Sequence, residues 1–431
     1  MVGQTENKTM MNEISQDLPH RSQQICQQLV QDGVQAVGLW LENATDFACA
    51  LFAGLNAGVK VLLPPNLLVD NQQWLAEHSA LLLNAEQFEH YGKLQNVSKI
   101  RPLVDKQAEG EIWLKTSGSS GNAKIIKKTA HQMWREAETL AATLPFERGS
   151  EIQVIGSVSV QHLYGLTFRI FVPLEMGWQL GGEQLHYPEY LVAESRHRRS
   201  VWISSPALLS HLNLAILEPA LQIAGVVSSG GALPANVAAA LRQQLACSLV
   251  EIYGSTETGA IAYRQQAGLW QAMPNSQIGV NEQGALWVES PWIAEREQTF
   301  DAVTLSEQGF ELLGRIDRIV KLGDKRVSLV SIEQSLLANA LVQDCYVALH
   351  PKHQRPLAWV ALREAGIALF KQQGRKAVIE QLRSHLGQQH EKFALPRYWR
   401  FCVKLPRNSQ AKIQRADFEK ICTVLDRETF E

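Results

Sequence analysis

From residue 130 to residue 252 the sequence alternates helical spacing with short β-rich runs, and that alternation does most to limit what the chain can become. Ala130 to Leu144, Tyr164 to Glu175, Pro206 to Asn213 and Pro234 to Leu245 have helical character, while Gln153–Gly156, Val201–Ser204, Gly225–Ser228 and Leu249–Ile252 read as buried strands. Strands that recur with helices between them form largely parallel sheets covered by helices, an α/β fold. The opening follows the same rule. Ser22 to Gln31 has helical spacing, Ala36 to Leu41 reads as a strand, Thr45 to Gly58 as a packed helix ending at glycine, and Lys60 to Leu63 as a strand stopped by Pro64-Pro65.

Ligands in such folds bind near the carboxyl ends of strands. Two polar, glycine-containing segments fall at such ends: Ser228-Ser229-Gly230-Gly231 and Tyr253-Gly254-Ser255-Thr256. From Ala260 to Leu313 short strands with glycine turns take over, including Gln277–Val280, Ala285–Glu289 and Phe310–Leu313, which predicts a small β-rich subdomain. Beyond Gly314 the composition resets. A hairpin around Gly323-Asp324, a helix from Ser331, two strands and a helix from Arg375 predict a small α+β domain. The expected division is a large α/β domain over residues 1–316 and a C-terminal α+β domain over 317–431.

The most informative loop is Lys115-Thr116-Ser117-Gly118-Ser119-Ser120-Gly121-Asn122-Ala123-Lys124, between the apolar runs Ile112-Trp113-Leu114 and Ile125-Ile126. Glycines permit close backbone approach and positive φ. Successive N–H groups and hydroxyls can then cradle phosphate oxygens, with Lys124 neutralising charge. A flexible Gly/Ser linker is the competing reading. The Walker loop fits poorly, because its lysine follows glycine and precedes Ser or Thr, whereas Lys124 lies between Ala123 and Ile125.

Three further segments follow in order: Glu251-Ile252-Tyr253-Gly254-Ser255-Thr256-Glu257-Thr258-Gly259, Gly314-Arg315-Ile316-Asp317-Arg318-Ile319-Val320-Lys321, and Leu405-Pro406-Arg407-Asn408-Ser409-Gln410-Ala411-Lys412-Ile413-Gln414-Arg415. With the Gly/Ser loop they resemble the core motifs of the adenylate-forming superfamily of acyl-CoA synthetases, aryl-acid ligases, luciferase-like enzymes and peptide-synthetase adenylation domains. The resemblance implies that a carboxylate attacks the α-phosphorus of ATP to give an acyl adenylate and pyrophosphate, after which a thiol takes the acyl group. It implies ATP and Mg²⁺ as cofactors, and as partners a small carboxylic acid and either CoA or a holo acyl carrier protein. Short members similar to this chain supply aryl or acyl starters to carrier proteins, including aryl-polyene-type pathways.

Residue by residue, the resemblance assigns Thr116, Ser117, Gly118, Ser119, Ser120, Gly121 and Lys124 to the β- and γ-phosphates, and Glu257 to Mg²⁺. Thr256 would bond the α-phosphate. Gly230 and Gly231 would pass along the adenine edge, Tyr253 would stack on the base through its ring face, and Gly254 would also belong to the nucleotide site. Asp301 and Arg315 would hold the ribose, although Thr299-Phe300 precedes Asp301 where the family has Thr-Gly. His162 would flank the acyl pocket. Lys412 would bridge the substrate carboxylate and the α-phosphate. Asp317 falls on the family hinge, about which the C-terminal domain is expected to move. Two small departures, Ala123 for the usual proline and Ala411 for the usual glycine, leave the charged groups in place. Other readings stand beside these: Glu257 as a helix N-terminal carboxylate, Tyr253 and His162 as half-buried core residues, and Asp317 as a turn aspartate paired with Arg318. Candidates for the acid pocket are Trp134, His162, Tyr164, Phe168, Trp202, Ser205 and the segment before Tyr253, a mixture of aromatic and small residues that fits a planar acid but does not demand one.

Bulk properties exclude several classes. The 431 residues carry a formal net charge of −2, which argues against a general nucleic-acid or anionic-membrane binder. The cluster Arg196-His197-Arg198-Arg199 is short and reads as a solvated patch, with docking of an acidic protein as the sharper alternative. No segment approaches the ~20 apolar residues of a membrane span, and Met1 to Gln24 lacks an apolar signal core. Six scattered cysteines without CxxC pairs suit a reducing cytoplasm. The alternatives to an acid–thiol ligase are an adenylate former with a non-thiol acceptor and a catalytically inactive acyl- or nucleotide-binding module.

Overall fold

The computed structural model describes residues 18–91, 106, 110–116, 124–214, 221–322, 325–407 and 413–423. Ser117 to Gly121, Lys412, the polar N-terminal residues and the Gly323-Asp324 turn therefore lie outside the described residues. The chain divides into two compact units, residues 1–277 with 288–297, and residues 278–287 with 298–431.

The first unit is α/β. One sheet has the order Leu81–Asn84, Ala36–Trp40, Lys60–Leu63, Glu111–Thr116, Lys124–Thr129. The first four strands are parallel, and the last turns back antiparallel to Glu111–Thr116. The other sheet has seven strands, in the order Gln271–Ala272, Gly259–Arg264, Ser248–Ser255, Ile223–Ser228, Ser200–Ser204, Gln153–Gly156, Gln179–Gln184. It is parallel from Ser248–Ser255 through Gln179–Gln184 and antiparallel at the other edge.

One core cluster joins residues of both sheets, among them Val37, Val61, Val154, Val201 and Val250, through helices Ala44–Asn56 and Ala130–Thr143. Helix Ala44–Asn56 buries Ala44 and every residue from Phe47 to Leu55, as expected of a helix enclosed on all sides. Its N-terminus is capped by Asn43, whose side chain accepts from the N–H groups of Thr45 and Asp46. A second cluster, with Ile155, Trp202 and Val226, covers the other face of the seven-stranded sheet against helices Pro188–Ser195 and Ala235–Leu245.

The expected helix from Tyr164 to Glu175 is a continuous helical run, but five of its residues, Thr167–Phe171, form a π-turn. Pro206–Leu209 is shorter than predicted, and Ser248–Ser255 runs three residues past Ile252. Gln179–Gln184, Pro188–Ser195 and Val69–Glu77 have no counterpart in the sequence reading.

In the second unit, strands Glu297–Ser306 and Gly309–Arg315 pair antiparallel, and Ile319–Leu322 pairs with Lys325–Ser328 as the expected hairpin. A three-stranded sheet, Val342–Leu349, Pro356–Leu362 and Tyr398–Cys402, has helices Leu329–Leu337 and Glu364–Leu386 on one face. Helix Arg415–Thr423 packs on the other through Phe418 and Cys422. Helix Glu364–Leu386 breaks at Gly374, with φ 80°, so the segment from Arg375 starts a new helical run as the sequence predicts.

Candidate active site

The Gly/Ser loop springs from an antiparallel hairpin. Thr116 lies directly opposite Lys124, and the Thr116 hydroxyl donates to the Lys124 carbonyl at 3.2 Å. The outer arm alternates: Ile126 and Lys128 point inward, while Lys124, Ile125 and Lys127 are exposed. Lys124 Nζ stands 3.8 Å from Glu257 Oε1, and both side chains reach solvent. Thus residues separated by more than a hundred positions, and picked from two different motifs, meet as a cation–carboxylate pair.

Glu257 sits in the tight connection between Ser248–Ser255 and Gly259–Arg264. Ser255 and Thr258 brace it: each backbone N–H donates to the other's hydroxyl, at 3.0 and 3.2 Å. Two glycines make the connection possible. A Cβ on Gly254 would lie 2.1 Å from the Gly259 carbonyl oxygen, and Gly259 itself has φ +65°. Among the described residues no group of three or more His, Cys, Asp or Glu side chains is placed to hold a metal. One solvent-facing carboxylate beside a lysine suits a hard cation that brings most of its ligands as phosphate oxygens and water, which describes Mg²⁺ rather than Zn²⁺.

Tyr253 precedes this connection and is partly buried. Its ring packs on Trp270 at 5.8 Å between centroids, and the Arg264 guanidinium lies 4.5 Å from the Trp270 centroid on its other contact. Arg264 is in turn held by Glu251 through two bonds, at 3.0 and 2.7 Å. A buried carboxylate on the strand thereby orients the residue two positions along it. At the neighbouring strand end, the Ser229 hydroxyl donates to the Ile252 carbonyl at 2.8 Å. Gly230, with φ +86°, has open space where a Cβ would stand, and Gly231 is exposed beside it. Such a surface admits a flat ligand edge against bare backbone.

His162 precedes helix Leu163–Leu166, beyond the end of strand Gln153–Gly156. Desolvation lowers its pKa below the ordinary imidazole value, so the ring is neutral at pH 7. Tyr164, two residues on, donates its hydroxyl to the carbonyls of Ser204 and Val227, at 2.9 and 3.1 Å, and ties two strand ends together. Burial drives its pKa well upward. Two of the acid-pocket candidates are corrected. Trp134 is core, stacked on Phe52 and edge-on to Phe171. Trp202 is fully buried, with its Nε1–H donating to Ser195 at 2.7 Å. Strand alternation points Trp202 into the helix-covered face, which residue type alone does not reveal.

Asp301 and Arg315 belong to the second unit, directly opposite each other on the ladder between Glu297–Ser306 and Gly309–Arg315. Arg315 also lies over the Phe300 ring at 5.4 Å. Arg318 is engaged by Glu333 at 2.5 Å and by the Val347 carbonyl at 2.8 Å.

Three buried charges escaped the sequence reading. Arg169, on the π-turn, is fully buried and donates to the carbonyls of Val158, Gly181, Gly182 and Glu183. Desolvation lowers its pKa to about 10. Lys128 donates to the carbonyls of Glu257 and Trp292, both at 3.1 Å. Glu136 accepts from the Ala260 N–H at 2.7 Å. Desolvation lowers the Lys128 pKa and raises that of Glu136. The missed signal for Lys128 was its period-two spacing from Ile126, which puts it on the inward face.

A family model described as "AMP-binding enzyme" matches residues 112–288, and one described as "AMP-binding enzyme C-terminal domain" matches residues 331–412. The chain is similar to a 4-coumarate–CoA ligase of Rhodobacter capsulatus, 29% identical over 171 residues, covering 38% of this chain and 42% of that protein. It is also similar to a 4-coumarate–CoA ligase of Halorhodospira halophila, 26% identical over 313 residues, covering 70% of this chain and 75% of that protein. In fold it is similar to a benzoate–CoA ligase from Burkholderia xenovorans LB400, with a TM-score of 0.78 at 18% identity, covering 93% of each chain.

Proposed function

The chain belongs to the adenylate-forming superfamily, and from that premise we propose that it activates a small carboxylic acid with ATP and passes the acyl group to a pantetheine thiol of CoA or a carrier protein. In the first half-reaction a carboxylate oxygen bonds to the α-phosphorus while the bond from that phosphorus to the bridging oxygen breaks, and pyrophosphate leaves. In the second, the thiol sulfur bonds to the acyl carbon, AMP leaves, and the thiol proton is released.

The observation that carries this reading is the Lys124–Glu257 pair at 3.8 Å, at the mouth of a Gly/Ser loop. Phosphoryl transfer needs charge compensation and positioning more than covalent help. Lys124 and the loop residues Thr116 to Gly121 are assigned to the β- and γ-phosphates, and Thr256 to the α-phosphate. Glu257 is assigned to Mg²⁺, which when bound neutralises charge on the departing pyrophosphate. Gly230, Gly231, Tyr253 and Gly254 are assigned to the adenine, Asp301 and Arg315 to the ribose, and the neutral His162 to the mouth of the acid pocket. Lys412 is assigned to the charge that builds as carboxylate and α-phosphate approach. Asp317 is assigned to the hinge between residues 1–316 and 317–431.

The acid is an aryl or related acyl starter, in the manner of aryl-polyene-type pathways; the 4-coumarate–CoA ligase relatives support an aromatic acid. The reaction belongs to the cytoplasm. Six cysteines, none of them in a disulfide, suit that compartment, and no described helix is long and apolar enough to cross a membrane.

ATP–pyrophosphate exchange across aryl, cinnamyl and medium-chain acids tests the first half-reaction. Adding CoA or a holo carrier protein tests the second. Exchange with one class of acid, followed by thioester formation, is the expected result. Exchange without thioester on either acceptor would reject the thiol, and no exchange with any acid would reject the enzyme.

A further inference from the structure

Two lysines of the strand Lys124–Thr129, four residues apart and so on the same side of the pleat, converge on Glu257. Lys124 faces solvent, 3.8 Å from the carboxylate. Lys128 is 3% exposed, and its ammonium donates to the backbone carbonyl of Glu257 and to that of Trp292, each at 3.1 Å. Three residues past Glu257, the Ala260 N–H is held at 2.7 Å by Glu136, whose other carboxylate oxygen finds no hydrogen-bond partner among the described residues. Gly259 between them leaves no slack: a Cβ there would stand 2.7 Å from Glu136 Oε1 and 2.8 Å from Trp292 Cδ1. Glu257 is thus clamped by a buried cation at its own carbonyl and by a buried carboxylate just beyond it. Both clamps come from the segment that follows the Gly/Ser loop.

Packing alone does not call for these charges. A methionine of similar length would fill the space of Lys128, and replacing buried charge pairs with apolar residues is often neutral or stabilising. What a charge adds is a directional hold on backbone. We propose that Lys128 is the positioning residue of Glu257, fixing that carboxylate against Lys124 for a divalent cation bound with a triphosphate. The inference rests on the reading of Glu257 as the carboxylate that meets Mg²⁺.

The test uses the full chain and three variants, K128M, K128M/E136Q and E257Q. The readouts are thermal melting, amide hydrogen exchange over residues 255–260, and the Mg²⁺ dependence of ATP binding by calorimetry. The double variant removes both buried charges together, so that neither is left alone in the core. It should melt close to wild type, exchange faster at residues 255–260, and need about tenfold more Mg²⁺ for half-maximal ATP binding, the size expected when a group that orients a metal ligand is lost. K128M should share the Mg²⁺ defect and melt lower. A double variant whose Mg²⁺ requirement stays within about twofold of wild type overturns the proposal. E257Q separates the two ideas. If it too leaves the Mg²⁺ dependence unchanged, the assignment of Glu257 fails; if it raises the requirement while the double variant does not, only the role of Lys128 fails.

Discussion

Gly254→Ala concentrates the geometry of the Glu257 connection into one methyl group. The added Cβ would lie 2.1 Å from the Gly259 carbonyl oxygen, 2.9 Å from its carbon and 3.1 Å from the Ala260 Cα. A carbon and a carbonyl oxygen normally rest about 3.3–3.6 Å apart, so the two strands must separate locally by roughly 1 Å. They cannot do so by moving a side chain, because the obstructing atoms are backbone. The separation falls where Gly254 faces Ala260 and Ser255 faces Gly259, at the base of the connection that carries Glu257. Overpacking of this kind costs about 1–3 kcal/mol of stability. A catalytic group displaced by ~1 Å costs about a hundredfold in rate. The expected variant is therefore folded at 25 °C, less stable by about 2 kcal/mol in urea denaturation, and about a hundredfold slower in pyrophosphate exchange at saturating acid. Gly268→Ala is the control for backbone strain without a clash. Gly268, unlike Gly254, has a positive φ, +134°, and open space around the Cβ position, so its alanine variant should lower stability and spare exchange. A Gly254→Ala protein that exchanges within about threefold of wild type refutes the link between this backbone contact and the reaction.

Lys412→Ala should lower acyl-adenylate formation by about a hundredfold or more while leaving thiol transfer from supplied acyl adenylate largely intact; equal effects on the two half-reactions, measured separately, would reject its assignment. Glu251→Gln breaks the two-bond pair with Arg264 and should cost about 3 kcal/mol in chemical denaturation, with a weaker apparent affinity for ATP as Trp270 and Tyr253 lose their support; a change below about 1 kcal/mol rejects that role. The pH dependence follows from His162, whose folded pKa is lowered by desolvation. The unfolded chain takes up this proton near pH 6.5 and the folded chain only at lower pH, so the unfolded state binds more protons there and stability falls as pH drops below about 6.5. His162→Gln should lose less stability than wild type on going from about pH 7.5 to about pH 5.5, and parallel melting-temperature profiles would refute the shift.

Some of this architecture is plain in the sequence, and the reason is local. The arms of the loop hairpin are marked by apolar runs on each side of a glycine-rich polar stretch, and Lys60–Leu63 ends at a Pro-Pro pair. Strand Gln179–Gln184 is the opposite case. It is polar and carries two glycines, so neither period nor propensity announces it. It is held in place from outside itself, by parallel pairing to Gln153–Gly156 and by the Arg169 guanidinium on the carbonyls of Gly181, Gly182 and Glu183. Arg169 lies on the π-turn of its helix, a feature with no sequence signal here.

The same division runs through the site. Lys124 and Glu257 are found by motif because each lies in a run of small and polar residues, where a charge stands out. Lys128 and Glu136 lie in ordinary-looking strand and helix, and Lys128 follows another lysine, so the pair Lys127-Lys128 reads as solvated surface. Strand alternation separates them: Lys127 rests its ammonium 4.1 Å from the centre of the Trp113 ring, while Lys128 enters the core. A charge on the inward face of a strand is costly unless its donors are used, and Lys128 spends two of them on backbone carbonyls, one of them that of Glu257. The costly residue and the residue it holds are thus linked by burial rather than by sequence proximity. In this chain the exposed charges carry the motifs, and the buried charges of the same strand and the adjoining helix hold the backbone around Glu257.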